Sequence, residues 1–171
     1  MDARALQVCS TVAVLSALTV VAPHAAAAEP WGINGRFVAT SNGQYARTNE
    51  QFDDEAVVRT TWTVSTTCVN PTDCTGTVAS DAGWSAPIYA RSGVWYVKRE
   101  IPGWRPCDDG TSANGLQMFQ FYAGDILTGQ AVSPTDTPSA WLGQDITRSA
   151  SGACGINKQL VIAMPFNLRP L

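Results

Sequence analysis

Few side chains in this sequence could carry chemistry. Carboxylates cluster at Asp53-Asp54-Glu55 and at Asp108-Asp109. A glycosidase uses such a pair, one group as acid and the other as nucleophile or base, about 5 to 9 Å apart across a cleft. Neighbours in sequence point to opposite faces of a strand, so these clusters read more simply as solvated turns. The run Asp108-Asp109-Gly110-Thr111-Ser112-Ala113-Asn114 resembles a calcium loop only superficially, because the alternating oxygen ligands of an EF-hand are missing. No metal or cofactor site is expected. The chain has no Gly-x-Ser-x-Gly elbow. It has no Ser-x-x-Lys either, since Trp95 and Gly155 stand three residues before Lys98 and Lys158. Any catalysis would rest on carboxylates or tyrosine alone, and no catalytic residue is assigned.

The aromatic residues are the better lead. Six tryptophans are present, and aromatic faces stack on sugars and enclose apolar ligands. Trp84, Trp95 and Trp104, with Tyr89 and Tyr96, could line a groove or the mouth of a barrel. Trp62 and Trp95 fall in phase with the apolar faces of their segments and read as core. Trp84 and Trp104 lie at turns, which makes them the candidate ligand-binding residues.

The N-terminal segment bears on what chemistry remains. Val8 to Ala22 is apolar, uncharged and rich in small residues, and Ala26-Ala27-Ala28 offers small side chains for cleavage before Glu29. That pattern predicts a secretory signal peptide over residues 1–28 and an exported domain over 29–171. The segment is too short and too interrupted by threonine for a membrane anchor, and Cys9 lies too early for a lipoprotein. Cleavage would leave 171 − 28 = 143 residues and remove the one histidine, His24. A Ser-His-Asp triad or a histidine-containing zinc site would then be impossible. Four cysteines would remain, Cys68, Cys74, Cys107 and Cys154, an even number suited to two disulfides in an oxidising compartment. Three connectivities are possible. Cys68 with Cys74 and Cys107 with Cys154 is favoured, because the Val69-Asn70-Pro71-Thr72-Asp73 turn brings the first two together. Zinc held by all four would want Cys-x-x-Cys spacings, which neither pair has.

The elements that must position these residues read as strands. Period two dominates: Val58, Trp62 and Val64 alternate with Arg59, Thr61, Thr63 and Ser65, and Trp95, Val97 and Ile101 alternate with Lys98 and Glu100. Arg99 is an exception, a charge on the apolar face. Leu160, Ile162, Met164 and Phe166 share a face near the C-terminus, where Pro165 should end or bulge the pairing. Asn42-Gly43 is a strong hairpin cue. Strands are expected near 36 to 46, 56 to 67, 74 to 80, 85 to 91, 94 to 101, 116 to 122, 144 to 149 and 158 to 166. The fold class is therefore all-β, a single antiparallel meander of about eight strands closed as a barrel or folded as a sandwich. One long connection, Asp125 to Ala140, interrupts it.

Phe37-Val38-Ala39-Thr40-Ser41-Asn42-Gly43, Thr60 to Cys68, Cys74-Thr75-Gly76-Thr77-Val78, Gly83-Trp84, Trp95-Tyr96-Val97-Lys98-Arg99, Trp104-Arg105-Pro106-Cys107 and Cys154-Gly155-Ile156-Asn157-Lys158 resemble small secreted proteins of mycobacteria and related actinobacteria. The resemblance covers nearly all of residues 29–171. It implies export and transfers no activity. Composition agrees: 171 residues, 45% apolar, 15% charged and a net charge of −3 exclude a multidomain enzyme, a disordered tail and a basic nucleic-acid binder. The expected role is a non-catalytic extracellular or cell-envelope module for an unknown ligand or protein. The alternatives are a His-free carboxylate hydrolase acting on envelope polysaccharide and a structural accessory protein.

Overall fold

Eight long strands, their successive side chains alternating between the inside and the outside, wrap into a closed up-and-down barrel. A computed structural model describes residues 31–133, 136 and 138–171; the expected signal peptide lies outside them. The barrel strands are β1 (Gly35–Ser41), β4 (Val58–Asn70), β5 (Asp73–Ser80), β6 (Trp84–Arg91), β7 (Val94–Pro106), β8 (Ser112–Gly124), β9 (Ala140–Ser149) and β10 (Val161–Pro170). Each pairs antiparallel with its successor, and β1 closes the sheet by pairing β10 from Phe37 opposite Pro170 to Ser41 opposite Phe166. Closure resolves barrel against sandwich and leaves those eight strands without an open edge. Two short strands, β2 (Arg47–Thr48) and β3 (Gln51–Phe52), make a small ribbon beside β10.

Turn chemistry sets the register. Ser92 and Gly93 both take positive φ, 52° and 79°, the backbone a two-residue turn needs to match strand twist. Asn42-Gly43 does something other than the expected hairpin. Asn42 caps a short 3-10 turn, its Oδ1 accepting the Gln44 N–H at 3.2 Å, and the chain leaves β1 there. Pro165 neither ends nor bulges β10, which pairs with β9 from Val161 to Leu168 in unbroken register. Its carbonyl accepts the Asn42 N–H at 2.8 Å, and the N–H and C=O of one residue leave a strand on the same side. The donor that proline lacks therefore falls where β1 has already turned away. Strand β7 runs past its expected end at Ile101 by bulging over Pro102-Gly103-Trp104.

Both disulfides form as expected. Cys68 faces Cys74 across β4 and β5 with Cα atoms 4.0 Å apart. Cys107, in the β7–β8 loop, joins Cys154, in the β9–β10 loop, with Cα atoms 5.1 Å apart. Rings fill the barrel between them. Trp62 meets Trp84 and Phe119 edge-on at 5.5 and 4.9 Å and lies 5.4 Å from Phe166. An eight-stranded barrel is just wide enough for such filling. The Trp62 indole N–H is buried there without an acceptor.

Candidate functional site

Opposite residues in an antiparallel ladder share a face, so the pairing shows which side chains enter the barrel at each end. At the end holding Cys68–Cys74, the inward residues Ile33, Phe37, Ala90, Trp95, Phe121, Trp141 and Leu168 are all buried, and Trp31 packs against them. The other end is different. There Thr60, Trp84, Arg99, Ile101, Ile162 and Met164 occupy inward register positions yet remain half-exposed. This open end is the candidate site.

A chain of polar contacts runs across it. Asp145, 1% exposed, accepts hydrogen bonds from Ser41 Oγ at 2.7 Å and from Gln117 Nε2, at 2.9 Å to each carboxylate oxygen. Gln117 Oε1 in turn accepts the Arg99 Nε–H at 2.7 Å. The amide orientation is fixed, because only Oε1 can face a guanidinium while Nε2 faces a carboxylate. The Arg99 guanidinium carbon lies 4.6 Å from the Trp84 ring centroid, a cation–π contact. Trp84 rests on the core, its ring stacked 6.2 Å from Phe119. Burial pushes the Asp145 carboxyl above its ordinary range, against the hydrogen bonds from Ser41 and Gln117 and the attraction of Arg99. Burial likewise lowers the Arg99 pKa, opposed by Asp145.

Trp104 reaches the same end from the bulge in β7. The Gly103 N–H donates to Asn114 Oδ1 at 3.0 Å, and the Trp104 ring lies over Gly115. A Cβ on Gly115 would come within 2.8 Å of Trp104 Cγ and 2.9 Å of Thr147 Cγ2, so only glycine admits the indole there. The structure thus brings Trp84 and Trp104, the two candidates from sequence, to one end, with no ring contact joining them among the described residues. Trp62 and Trp95 are buried.

The tyrosines part company with the tryptophans. Tyr89 and Tyr96 face outward and stack at 5.3 Å and 22°, lining an external groove of about 600 Å³ with Pro87, Arg91 and Lys98. Cross-strand aromatic pairs of this kind stabilise a hairpin in their own right. The acidic clusters lie on the connections before β4 and between β7 and β8: Asp53, Asp54, Glu55, Asp108 and Asp109 are all exposed, and Asp109 is a turn cap whose Oδ1 accepts from the Thr111 N–H and hydroxyl. Among the described residues no group of three or more His, Cys, Asp or Glu side chains could hold a metal ion.

Sequence reading missed Asp145 and Gln117. The signal was available, since continuing the inward parity of β9 from Trp141 lands on Gly143, Asp145, Thr147 and Ser149.

No family model and no curated protein matches the sequence. Among solved structures, the barrel is similar to one described as the monomer form of the M. tuberculosis PknI sensor domain. That match has a TM-score of 0.56 and 12% identity, and covers 81% of this chain and 87% of that one. At such identity the likeness concerns the fold. No helix among the described residues is long and apolar enough to cross a membrane.

Proposed function

We propose that this protein is a non-catalytic binding module of the extracellular space or cell envelope, exported by a signal peptide cleaved near Ala28, that takes its ligand at the open end of the barrel. The observation that carries this reading is the asymmetry of the inward residues: packed aromatic and aliphatic side chains at one end, and at the other buried polar groups, Ser41, Gln117, Asp145 and Thr147, beside half-exposed Trp84, Arg99, Ile101, Ile162 and Met164. Two further points support it. The two disulfides suit an oxidising compartment, and a sensor domain shares the barrel. The solvent exposure of Asp53, Glu55 and Asp108 favours binding over carboxylate hydrolysis. The test is a panel of lipids, glycans and host proteins probed with wild type, Trp84→Ala and Trp104→Ala. Loss of one wild-type interaction in both variants is expected; no binding, or binding unchanged in both, overturns the reading.

A further inference from the structure

We infer that the open end accepts an acidic amphiphile, a small ligand whose carboxylate or phosphate head pairs with the Arg99 guanidinium and whose apolar body lies against Trp84, Ile101, Ile162 and Met164. This rests on the binding-module reading and adds the chemical class of the ligand.

The argument starts from how Arg99 is used. One face of its guanidinium is taken by Trp84 at 4.6 Å, and its Nε–H is taken by Gln117 at 2.7 Å. Those two contacts fix the plane and the rotation of the group. They leave the two terminal nitrogens, which make no hydrogen bond or ion pair with another described residue. A half-buried cation without a counterion is costly. The charged group acting on it is Asp145, whose own oxygens are already occupied by Ser41 and by the Gln117 amide. The carboxylate is thereby engaged by the amide, and half-buried Arg99 keeps an oriented fork free for a partner from outside the chain. A planar fork of this kind matches a carboxylate or a phosphate with two parallel N–H···O bonds. The surroundings decide what is attached to that head. Ile101, Ile162 and Met164 share the inward face and are half-exposed, while Lys98 and Glu100 on the flanking positions of β7 point outside. A head group at Arg99 thus has indole and aliphatic surface on the same inward face against which an apolar body can lie. An acid with an apolar body satisfies both; a free inorganic anion satisfies only the first.

The test is isothermal titration of the exported protein with decanoate, decyl phosphate, decanol, decyltrimethylammonium and inorganic phosphate. Decanoate and decyl phosphate are expected to bind, decanol at least roughly tenfold more weakly, and Arg99→Gln to weaken both acids by at least roughly tenfold. Arg99→Lys, which keeps the charge and loses the fork, should fall between them, and it carries the test if Arg99→Gln does not fold. Lys98→Gln, in the outer groove, should bind as wild type. Decanol or decyltrimethylammonium binding as well as decanoate, in a manner sensitive to Trp104→Ala, overturns the acidic head and leaves the open-end reading standing. Inorganic phosphate binding as tightly as decyl phosphate overturns the apolar body. Binding by none of the five probes overturns the proposal, and the lipid, glycan and protein panel then decides the broader reading separately.

Discussion

The two ends of one barrel solve different problems with the same eight strands. At the sealed end, inward positions carry Phe37, Trp95, Phe121, Trp141 and Leu168, and Cys68–Cys74 lies within the packed interior, with Cys74 1% exposed. At the open end, inward positions on three adjacent strands carry Arg99, Gln117 and Asp145, and the disulfide Cys107–Cys154 ties loops outside the barrel. Burial of apolar surface stabilises the first end. The second retains a buried carboxylate and a half-buried cation that an aliphatic core would not need. A region that gives up stability in this way is where function is to be sought.

The comparison can be broken by substitution, beginning where the effect is greatest. Trp62→Ala, at the junction of the two halves, should cost about 3 to 5 kcal/mol in urea unfolding, and Leu168→Ala at the sealed end about 2 to 5 kcal/mol. A cost near zero at Leu168 would mean that this end is not the packed one.

Removing the disulfides separates the ends in another way. Cys107–Cys154 spans 47 residues and Cys68–Cys74 spans 6, so loop entropy assigns them about 4 and about 2 kcal/mol. Paired Cys→Ala variants measure each. If the short bridge proves the more stabilising, its packing in the sealed end outweighs the chain-entropy effect.

At the open end, Gly115→Ala should displace Trp104 from its seat, at about 1 to 3 kcal/mol, with a red shift of tryptophan emission. An unshifted spectrum would contradict the placement of the indole over Gly115.

The smallest effect is on pH dependence. Asp145 has a raised pKa in the fold, so the unfolded chain ionises first as pH rises past about 4. Stability therefore declines from that pH up to the folded pKa of Asp145, then levels. Asp109 and Asp125 are held low by hydrogen bonds, from the Thr111 hydroxyl and from the Thr128 N–H above all, and act with the opposite sign below about pH 4. Asp145→Asn should abolish the upper slope and leave the lower one. Persistence of the upper slope in that variant would assign it elsewhere.

Much of the sealed end was legible in the sequence and rather less of the open one. Alternation placed Trp62 and Trp95 in the core, and cysteine spacing gave the Cys68–Cys74 bridge, because both depend on local pattern; Cys107–Cys154, 47 residues apart, followed as the remaining pair. Arg99 stood out as a charge in an apolar phase. Its meaning needed Gln117 and Asp145, which lie on other strands and meet it only through barrel closure. The bulge that carries Trp104 inward was hidden for a similar reason. Pro102-Gly103 reads as a strand end, and only the pairing of Arg105 with Ala113 shows that the strand resumes. At Asn42-Gly43 a hairpin signal was overridden because β1 already pairs with β10 and β4 on its two edges.

The six tryptophans mark the two ends: Trp31, Trp95 and Trp141 the sealed one, Trp84 and Trp104 the open one, with Trp62 between. Their indole N–H signals in a nitrogen-15 correlation spectrum, followed during titration with decanoate, test the central claim most directly. Saturable shifts at Trp84 and Trp104, with Trp31, Trp95 and Trp141 unmoved, are the predicted result. Shifts confined to the sealed-end tryptophans would contradict it.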